Sequence, residues 1–422
     1  MNFENSVSFA KQLDKNDPLK DFRQQFIIPS IDGKEQIYFL GNSLGLQPKK
    51  AKDELNKILG QWSVYGVEGF FKGDDPWIDY HDKLTKPLAK IVGALPHEIS
   101  VMNQLTVNLH LMMVSFYNPN GKRNKIICEA KAFPSDQYMF ETHVRHYGFN
   151  PDDTIIEVQP RKNEYAIHTE DILLVIEQHK DEVALVLFSG VNYYSGQLFD
   201  IPTITAAAQK AGAKVGFDLA HAAGNVSLQL HEWNVDFACW CSYKYLNAGP
   251  GAVGAIYIHE RFHNDKNIAR YGGWWGYNKA TRFKMDKGFK PINTAEGWQL
   301  STPTFTSLAL YKAALDIFEQ AGWENILAKR KLLNDYLWFV LNEIKIKGAF
   351  EIITPKNEKE KGCQVSLLMP DRGKTVFDEL AKAGIMVDWR EPNVIRLAPV
   401  PLYNSFEEVW QFGNILRQIL KK

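Results

Sequence analysis

Short apolar runs alternate with amphipathic stretches through the middle of the chain. Lys125–Glu129 (KIICE), Thr154–Val158, Val183–Ser189, Lys214–Phe217 and Asp236–Cys241 read as strands. Between them, Thr169–Lys180 and Pro202–Ala211 carry helical spacing, and Gly212 punctuates the second. That alternation predicts parallel βαβ units. Ahead of it, Ala51–Tyr65 and Asp79–Val92 read as helices around a glycine-rich loop, Gly66–Asp75. Met102–Phe116 contains a further helix, for which Thr106 is the expected cap. After Ile258 the pattern changes. A glycine-tryptophan loop, Tyr271–Tyr277, precedes a long helical region over 306–344, broken near Gly322. Phe350–Thr354, Gln364–Met369, Ile385–Asp388 and Val394–Leu397 read as strands, and Lys374–Lys382 as a helix. A capping box, Ser405-Phe-Glu-Glu408, opens the last helix.

The expected fold is therefore α/β. A large domain over 51–305 has a mainly parallel sheet with helices on both faces, and a smaller α+β domain spans 306–422. Residues 1–50 pack with the small domain. In an open sheet of this kind, ligands bind outside the carboxyl ends of the strands. The strand at 214–217 runs into Asp218 and His221. The strand at 236–241 runs into Ser242, Tyr243 and Lys244, followed by the loop YLNAGPG. An acid, an imidazole, a phenol and a lysine would share one crevice.

That set suits pyridoxal phosphate. A lysine amine condenses with the aldehyde, and a carboxylate pairs with the pyridinium nitrogen. Lys244 and Asp218 are the candidates, with Ser242 and Tyr243 in reach of the phosphate. The helix start at Thr106 offers free N–H groups to an anion. Pro134 suits the first turn of another helix. Beside it, Phe133 could stack on a flat ring while Ser135 and Asp136 hydrogen-bond it. Each residue also has a plain reading: a solvated lysine, a helix start at Asp-x-x-His, a packed phenylalanine, a dipole-stabilising aspartate. A Ser242/His221/Asp218 hydrolase triad is a further reading, although Ser242 lacks the Gly-x-Ser-x-Gly elbow. Arg396 stands inside an apolar strand, where a guanidinium needs an acidic partner, internal or from a ligand.

Lys+Arg and Asp+Glu are both 49, so charge gives no reason to expect nucleic acid or an anionic membrane surface. No apolar run approaches the length of a membrane span, and the amino terminus has no secretory apolar stretch. Cys128, Cys239, Cys241 and Cys363 are sparse, and no metal set completes around them. They read as reduced core residues of a cytoplasmic protein.

Seven blocks together resemble kynureninase, a family of fold-type I pyridoxal-phosphate enzymes. They are FLGNSLGLQPK (39–49), MNQLTVNLHL (102–111), EAKAFPSD (129–136), GFDLAHAAGN (216–225), DFACWCSYKYLNAG (236–249), TRFKMD (281–286) and IRLAPVPLYNSF (395–406). The resemblance implies pyridoxal 5'-phosphate as cofactor. It implies hydrolysis of L-kynurenine to anthranilate and L-alanine, or of 3-hydroxy-L-kynurenine to 3-hydroxyanthranilate, within tryptophan catabolism. Lys244 matches the lysine that holds the cofactor, Asp218 the partner of its ring nitrogen and Phe133 the stacking aromatic. Leu105, Thr106, Pro134, Ser135, Asp136, Ser189, His221 and Tyr243 match cofactor-side positions. Trp274 and Thr302 do so too, in a family where the neighbouring protomer completes the site, so a homodimer is implied. Arg396 matches the arginine that holds the substrate α-carboxylate, and Asn42 and Ser43 match a substrate-side loop. Some members have asparagine at the position of Thr302 and histidine near Val67. Without that polar pair, this chain is expected to favour kynurenine. Two rivals are another enzyme on the same fold, such as a cysteine desulfurase or an aminotransferase, and a binding protein without cofactor.

Overall fold

Strands that are apolar at nearly every position form the centre of the molecule, because helices cover both of their faces. The computed structural model describes residues 2–422. Its seven-stranded sheet comprises β1 (Ile99–Val101), β2 (Lys125–Glu129), β3 (Ile155–Val158), β4 (Val183–Ser189), β5 (Lys214–Asp218), β6 (Phe237–Trp240) and β7 (Ala255–Ile258). Their order across the sheet is β1-β7-β6-β5-β4-β2-β3. The pairs from β6 to β3 are parallel, and β7 runs against both of its neighbours.

Alternation along the strands divides the core in two. Ile127, Val186, Phe188, Val215, Phe217 and Trp240 belong to one cluster. Ile126, Cys128, Leu185, Leu187, Phe237 and Cys239 belong to the other. The second cluster is closed by α4 (Leu105–Phe116) and α5 (Pro134–His146). The first is closed by α3 (Asp82–Val92), α6 (Thr169–Gln178), α7 (Ile201–Lys210) and α8 (Phe305–Ala321). Two further helices precede these, α1 (Val7–Asn16) and α2 (Ala51–Tyr65). The loop expected at Gly66–Asp75 contains one 3-10 turn, Gly66–Phe70.

A separate core surrounds a four-stranded antiparallel sheet of β8 (Glu351–Ile352), β9 (Val365–Leu368), β10 (Asp388–Arg390) and β11 (Val394–Leu397), in the order β8-β9-β11-β10. It includes side chains of α9 (Trp323–Asn342), α10 (Gly373–Lys382) and α11 (Phe406–Leu420). Ala10, Leu13, Ile37 and Phe39 of the amino-terminal segment join it. Ile37–Tyr38 also pairs in parallel with Ile385–Met386. The sequence pattern divides the chain at 305/306, but the cores divide later. Leu308, Tyr311 and Leu315 of α8 are buried in the first core, and the second takes α9 from Leu333 onward. The chain bends at Gly322, where the backbone φ is +78°, but Trp323 and Ile326 after it still belong to the first core, so the cores divide within α9.

Candidate active site

Parallel pairing puts the last residues of β4 and β5 side by side, with Ser189 opposite Asp218. The Glu129 carboxylate at the end of β2 accepts the Ser189 N–H at 3.1 Å from both of its oxygens. β6 delivers Tyr243 and Lys244 to the same edge. A cavity of about 180 Å³ opens there. Asp218, His221, Tyr243, Lys244 and Ser189 line one part of it. Phe133 and Ser135, from the start of α5, line another, with Leu105 and Thr106 at the start of α4.

The contacts within this group define its electrostatics. Lys244 Nζ lies 3.0 Å from His221 Nε2. Burial, reinforced by the Lys244 and Arg396 charges, holds the His221 pKa well below its usual value. The imidazole is therefore neutral, accepts from the lysine at Nε2 and carries its proton on Nδ1. Asp218 Oδ1 accepts the Ala220 N–H at 2.7 Å. Burial raises the Asp218 pKa, against the pull of Lys244 and that N–H. Asp136 is buried beside it and is raised well above the carboxylate range by burial and by the Asp218 and Glu129 charges. Burial raises Glu129 to about 7. Tyr243 is raised by burial and stays a neutral phenol.

These residues fit pyridoxal phosphate. Gln104, which caps α4, contributes no side-chain hydrogen bond, so the N–H groups of the first turn are free for a phosphate. Ser189 Oγ and His221 Nδ1 are buried polar atoms without a partner, and both lie at the cavity, where a ligand could supply one. Phe133 is half-exposed at the cavity, with Lys244 Nζ 6.0 Å from its ring centre, so one ring face can take a flat heterocycle.

Two sequence expectations, on Thr106 and Ser242, need correction, and the structure also places Pro134, Trp274 and Thr302. Thr106 is not the helix cap. It lies inside the first turn, and Gln104 is the cap residue. Ser242 does not reach the cavity. It is fully buried, and its hydroxyl donates to the Val253 carbonyl at 2.5 Å. The Ser242/His221/Asp218 triad is therefore not formed, since His221 faces Lys244. Pro134 is the first residue of α5 and shapes its start without lining the cavity. Trp274 and Thr302 do not enter the cavity of their own chain. Both are exposed, and Trp274 borders a separate surface depression with Arg282 and Phe289.

Arg396 is fully buried on β11. It donates to the Tyr193 carbonyl at 2.6 Å and is ion-paired with Asp388. Ser43 Oγ donates to the same Asp388 oxygen at 2.5 Å, and Asn42 Nδ2 donates to Gln364 Oε1 at 3.1 Å. Their loop rests on the lysine loop. Gly45 N–H donates to the Tyr243 carbonyl at 2.7 Å, and a Cβ on Gly45 would lie 2.3 Å from the Lys244 carbonyl oxygen, which excludes any larger residue. Sequence reasoning missed Glu129, Tyr193 and Asp388. Glu129 opens one of the seven blocks and Tyr193 sits in a polar aromatic loop after β4, but Asp388 had no signal until its strand was paired.

All four cysteines are free and buried, and burial raises the thiol pKa of each. None has the exposed, activated character of a sulfur-transferring cysteine.

Residues 326–416 match the family model described as the kynureninase C-terminal domain. A kynureninase of Flavobacterium johnsoniae is 55% identical over 99% of this chain and 99% of its own length. One from Nematostella vectensis is 47% identical over 99% of this chain and 94% of its own. Among solved structures, a mutant of C-DES with glycine covalently linked to its pyridoxal-phosphate cofactor superposes with a TM-score of 0.76, covering 93% of this chain and 98% of that one at 17% identity. That likeness carries the fold: fold-type I, α/β. Identity near one half along the whole length carries more, and by it the chain belongs to the kynureninase family.

Proposed function

We propose that this protein uses pyridoxal 5'-phosphate to hydrolyse L-kynurenine, or its 3-hydroxy derivative, to anthranilate or 3-hydroxyanthranilate and L-alanine. The observation that carries this reading is Lys244 Nζ at a cavity walled by Asp218, Phe133 and the uncapped start of α4. Pyridoxal phosphate bound there supplies an electron sink conjugated to the substrate's α-carbon.

The chain's own residues do the rest. The first-turn N–H groups of α4, with Thr106 and Ser189, hold the phosphate, and Phe133 covers the ring. Asp218 keeps a proton on the ring nitrogen, and Asp136 supports it from behind. Lys244 is the residue that would hold the cofactor through its aldehyde, and its amine would move the Cα proton of the substrate. His221 stays neutral beside it and adds no second charge. Arg396 holds the α-carboxylate, and Asn42 and Ser43 close over the substrate. Water adds at the substrate's γ-carbonyl, the Cβ–Cγ bond breaks, and Tyr243 delivers the proton that completes alanine.

Trp274 and Thr302 are assigned to the site of a second copy, which makes the functional unit a homodimer. Their exposure in the isolated chain supports this. Thr302, and Val67 at 74% exposed, in place of an asparagine and histidine pair, favour kynurenine over its 3-hydroxy derivative. No described helix is long and apolar enough to cross a membrane. A cytoplasmic setting and a role in tryptophan catabolism, feeding NAD synthesis, complete the reading. Holoenzyme given both substrates in parallel tests it. Anthranilate plus alanine in equal amounts is expected, with kynurenine the faster substrate. A yellow holoenzyme that cleaves neither substrate would overturn the reading while leaving the fold in place.

A further inference from the structure

The pairing of β10 with β11 sets Asp388 directly opposite Arg396. Cross-strand partners share a face, and Arg390, two residues along β10, shares it too. One oxygen, Asp388 Oδ2, collects three donors: Arg396 Nη2, Arg390 Nη2 at 3.3 Å and Ser43 Oγ at 2.5 Å. Two guanidinium groups thus face one carboxylate, and one positive charge is left over. The donors are also underused, since the Nε atoms of both Arg390 and Arg396 are buried without a partner. A second carboxylate would satisfy both the charge and the donors.

We propose that Asp388 is a resident carboxylate exchanged for the substrate α-carboxylate on Arg396, with Arg390 and Ser43 retaining it after the exchange. This rests on the reading of Arg396 as the carboxylate-binding residue. The Arg396 side chain is 1% exposed, so leaving its charge bare would be costly. Asp388 covers that charge when no substrate is present, and an incoming carboxylate takes its place on Arg396, so that guanidinium is never left without an anion. Arg390, with its side chain 38% exposed, keeps the displaced Asp388 paired near solvent. Asp388 and Arg390 are positioning residues: they set how readily Arg396 changes partner, and the Asp388 bond to Ser43 ties that change to the loop packed against Lys244.

The test is a double-mutant cycle on the holoenzyme. In Arg390→Ala, Asp388 has only Arg396 as cationic partner and competes harder with substrate. KM for L-kynurenine should rise about tenfold with kcat held within about twofold. Arg390→Lys should restore KM to within about threefold of wild type. In an Asp388→Asn background, Arg390→Ala should change KM less than about twofold, because the competitor is gone. A tenfold rise that persists in that background means direct contact between Arg390 and substrate and overturns the exchange, as does an unchanged KM in the single variant. If Asp388→Asn fails to fold, Ser43→Ala replaces it. Loss of that retaining bond should add about threefold to the KM of Arg390→Ala, and no addition overturns the proposal. A separate measurement isolates the Arg396 reading. Wild-type holoenzyme should bind L-alanine more tightly than L-alaninamide by absorbance titration, and Arg396→Ala should lose that preference. If the preference survives, the Arg396 reading falls; if it is lost while the cycle fails, the exchange alone falls.

Discussion

The two ends of the central sheet each bury a cluster of carboxylates and imidazoles, and they treat it in opposite ways. At the amino end, Glu98 is fully buried before β1. Its oxygens accept from Leu95 N at 3.0 Å and Glu260 N at 2.9 Å, and contact His231 Nδ1 at 3.0 Å. His259 stacks on His231 and accepts the Arg261 N–H at 3.2 Å. No buried side-chain polar atom of these three residues lacks a partner. At the carboxyl end, the buried carboxylates of Asp218, Asp136 and Glu129 act on one another, Lys244 offsets only Asp218, and Ser189 Oγ and His221 Nδ1 stay unmatched. The closed cluster is a finished structural joint, although its donors could ligate a metal. The open one is unfinished, and its missing partners are those a flat, anionic, ring-nitrogen cofactor brings. Between these two ends, unmatched buried polar atoms mark the open cluster and not the closed one.

The sharpest way to break this comparison is to truncate one residue at each end. Lys244→Ala should cut turnover by about 10³-fold or more with the melting temperature of the apoprotein unchanged. Retained turnover would end the assignment of Lys244. Glu98→Ala should do the reverse. It strands two N–H groups and removes the His231 partner, so it should cost about 3 kcal/mol or more of stability in chemical denaturation. Its KM for kynurenine should match wild type. A Glu98→Ala protein of normal stability would mean that the amino-end cluster is not a joint.

Removal of the cofactor sharpens the same contrast. Ligand at about a hundred times its dissociation constant stabilises by about 2.7 kcal/mol. Holoenzyme should exceed apoprotein by that order, and protection from amide exchange should be confined to the ends of β4, β5 and β6 and the starts of α4 and α5. Protection that extended equally to Leu95 and Glu260 would show the two ends to be coupled.

How much of this was legible beforehand follows from what each feature depends on. Lys125–Glu129, Val183–Ser189 and Val394–Leu397 were read to the residue, because buried strands write their limits as an apolar run meeting polar ends. That Asp218 and Lys244 would meet followed from the same rule plus parallel pairing. Side-chain direction was not legible. Ser242 looks like a cavity residue beside Tyr243, yet it turns into the core toward Val253. Thr106 is a better capping type than Gln104, yet the helix begins one residue before it, and the weak cap is what leaves the phosphate cradle open. The placement of α8 in the first core depends on its packing against α2 and α3, far away in sequence. Asp388 was invisible for the same reason, since only strand pairing sets it against Arg396.

The smallest expected effect concerns Glu129, and it tests whether the open end carries uncompensated negative charge. Burial raises its pKa from 4.5 to about 7. An acid whose folded pKa is raised stabilises the protein fully below its unfolded pKa and loses that contribution as pH rises through the folded value. The window therefore runs from about pH 4.5 to about pH 7. Glutamine keeps an oxygen to accept the Ser189 N–H and cannot ionise. Apo Glu129→Gln should gain about 2 kcal/mol on apo wild type between pH 5 and pH 8, by denaturant titration at each pH. His231 supplies the control at the other end. Its pKa is raised by the hydrogen bond to Glu98, so His231→Gln should instead lose least against wild type at high pH, where the neutral imidazole no longer pairs. A difference between Glu129→Gln and wild type that stays flat with pH would show that Glu129 ionises as an ordinary carboxylate. The open end would then be as well compensated as the closed one.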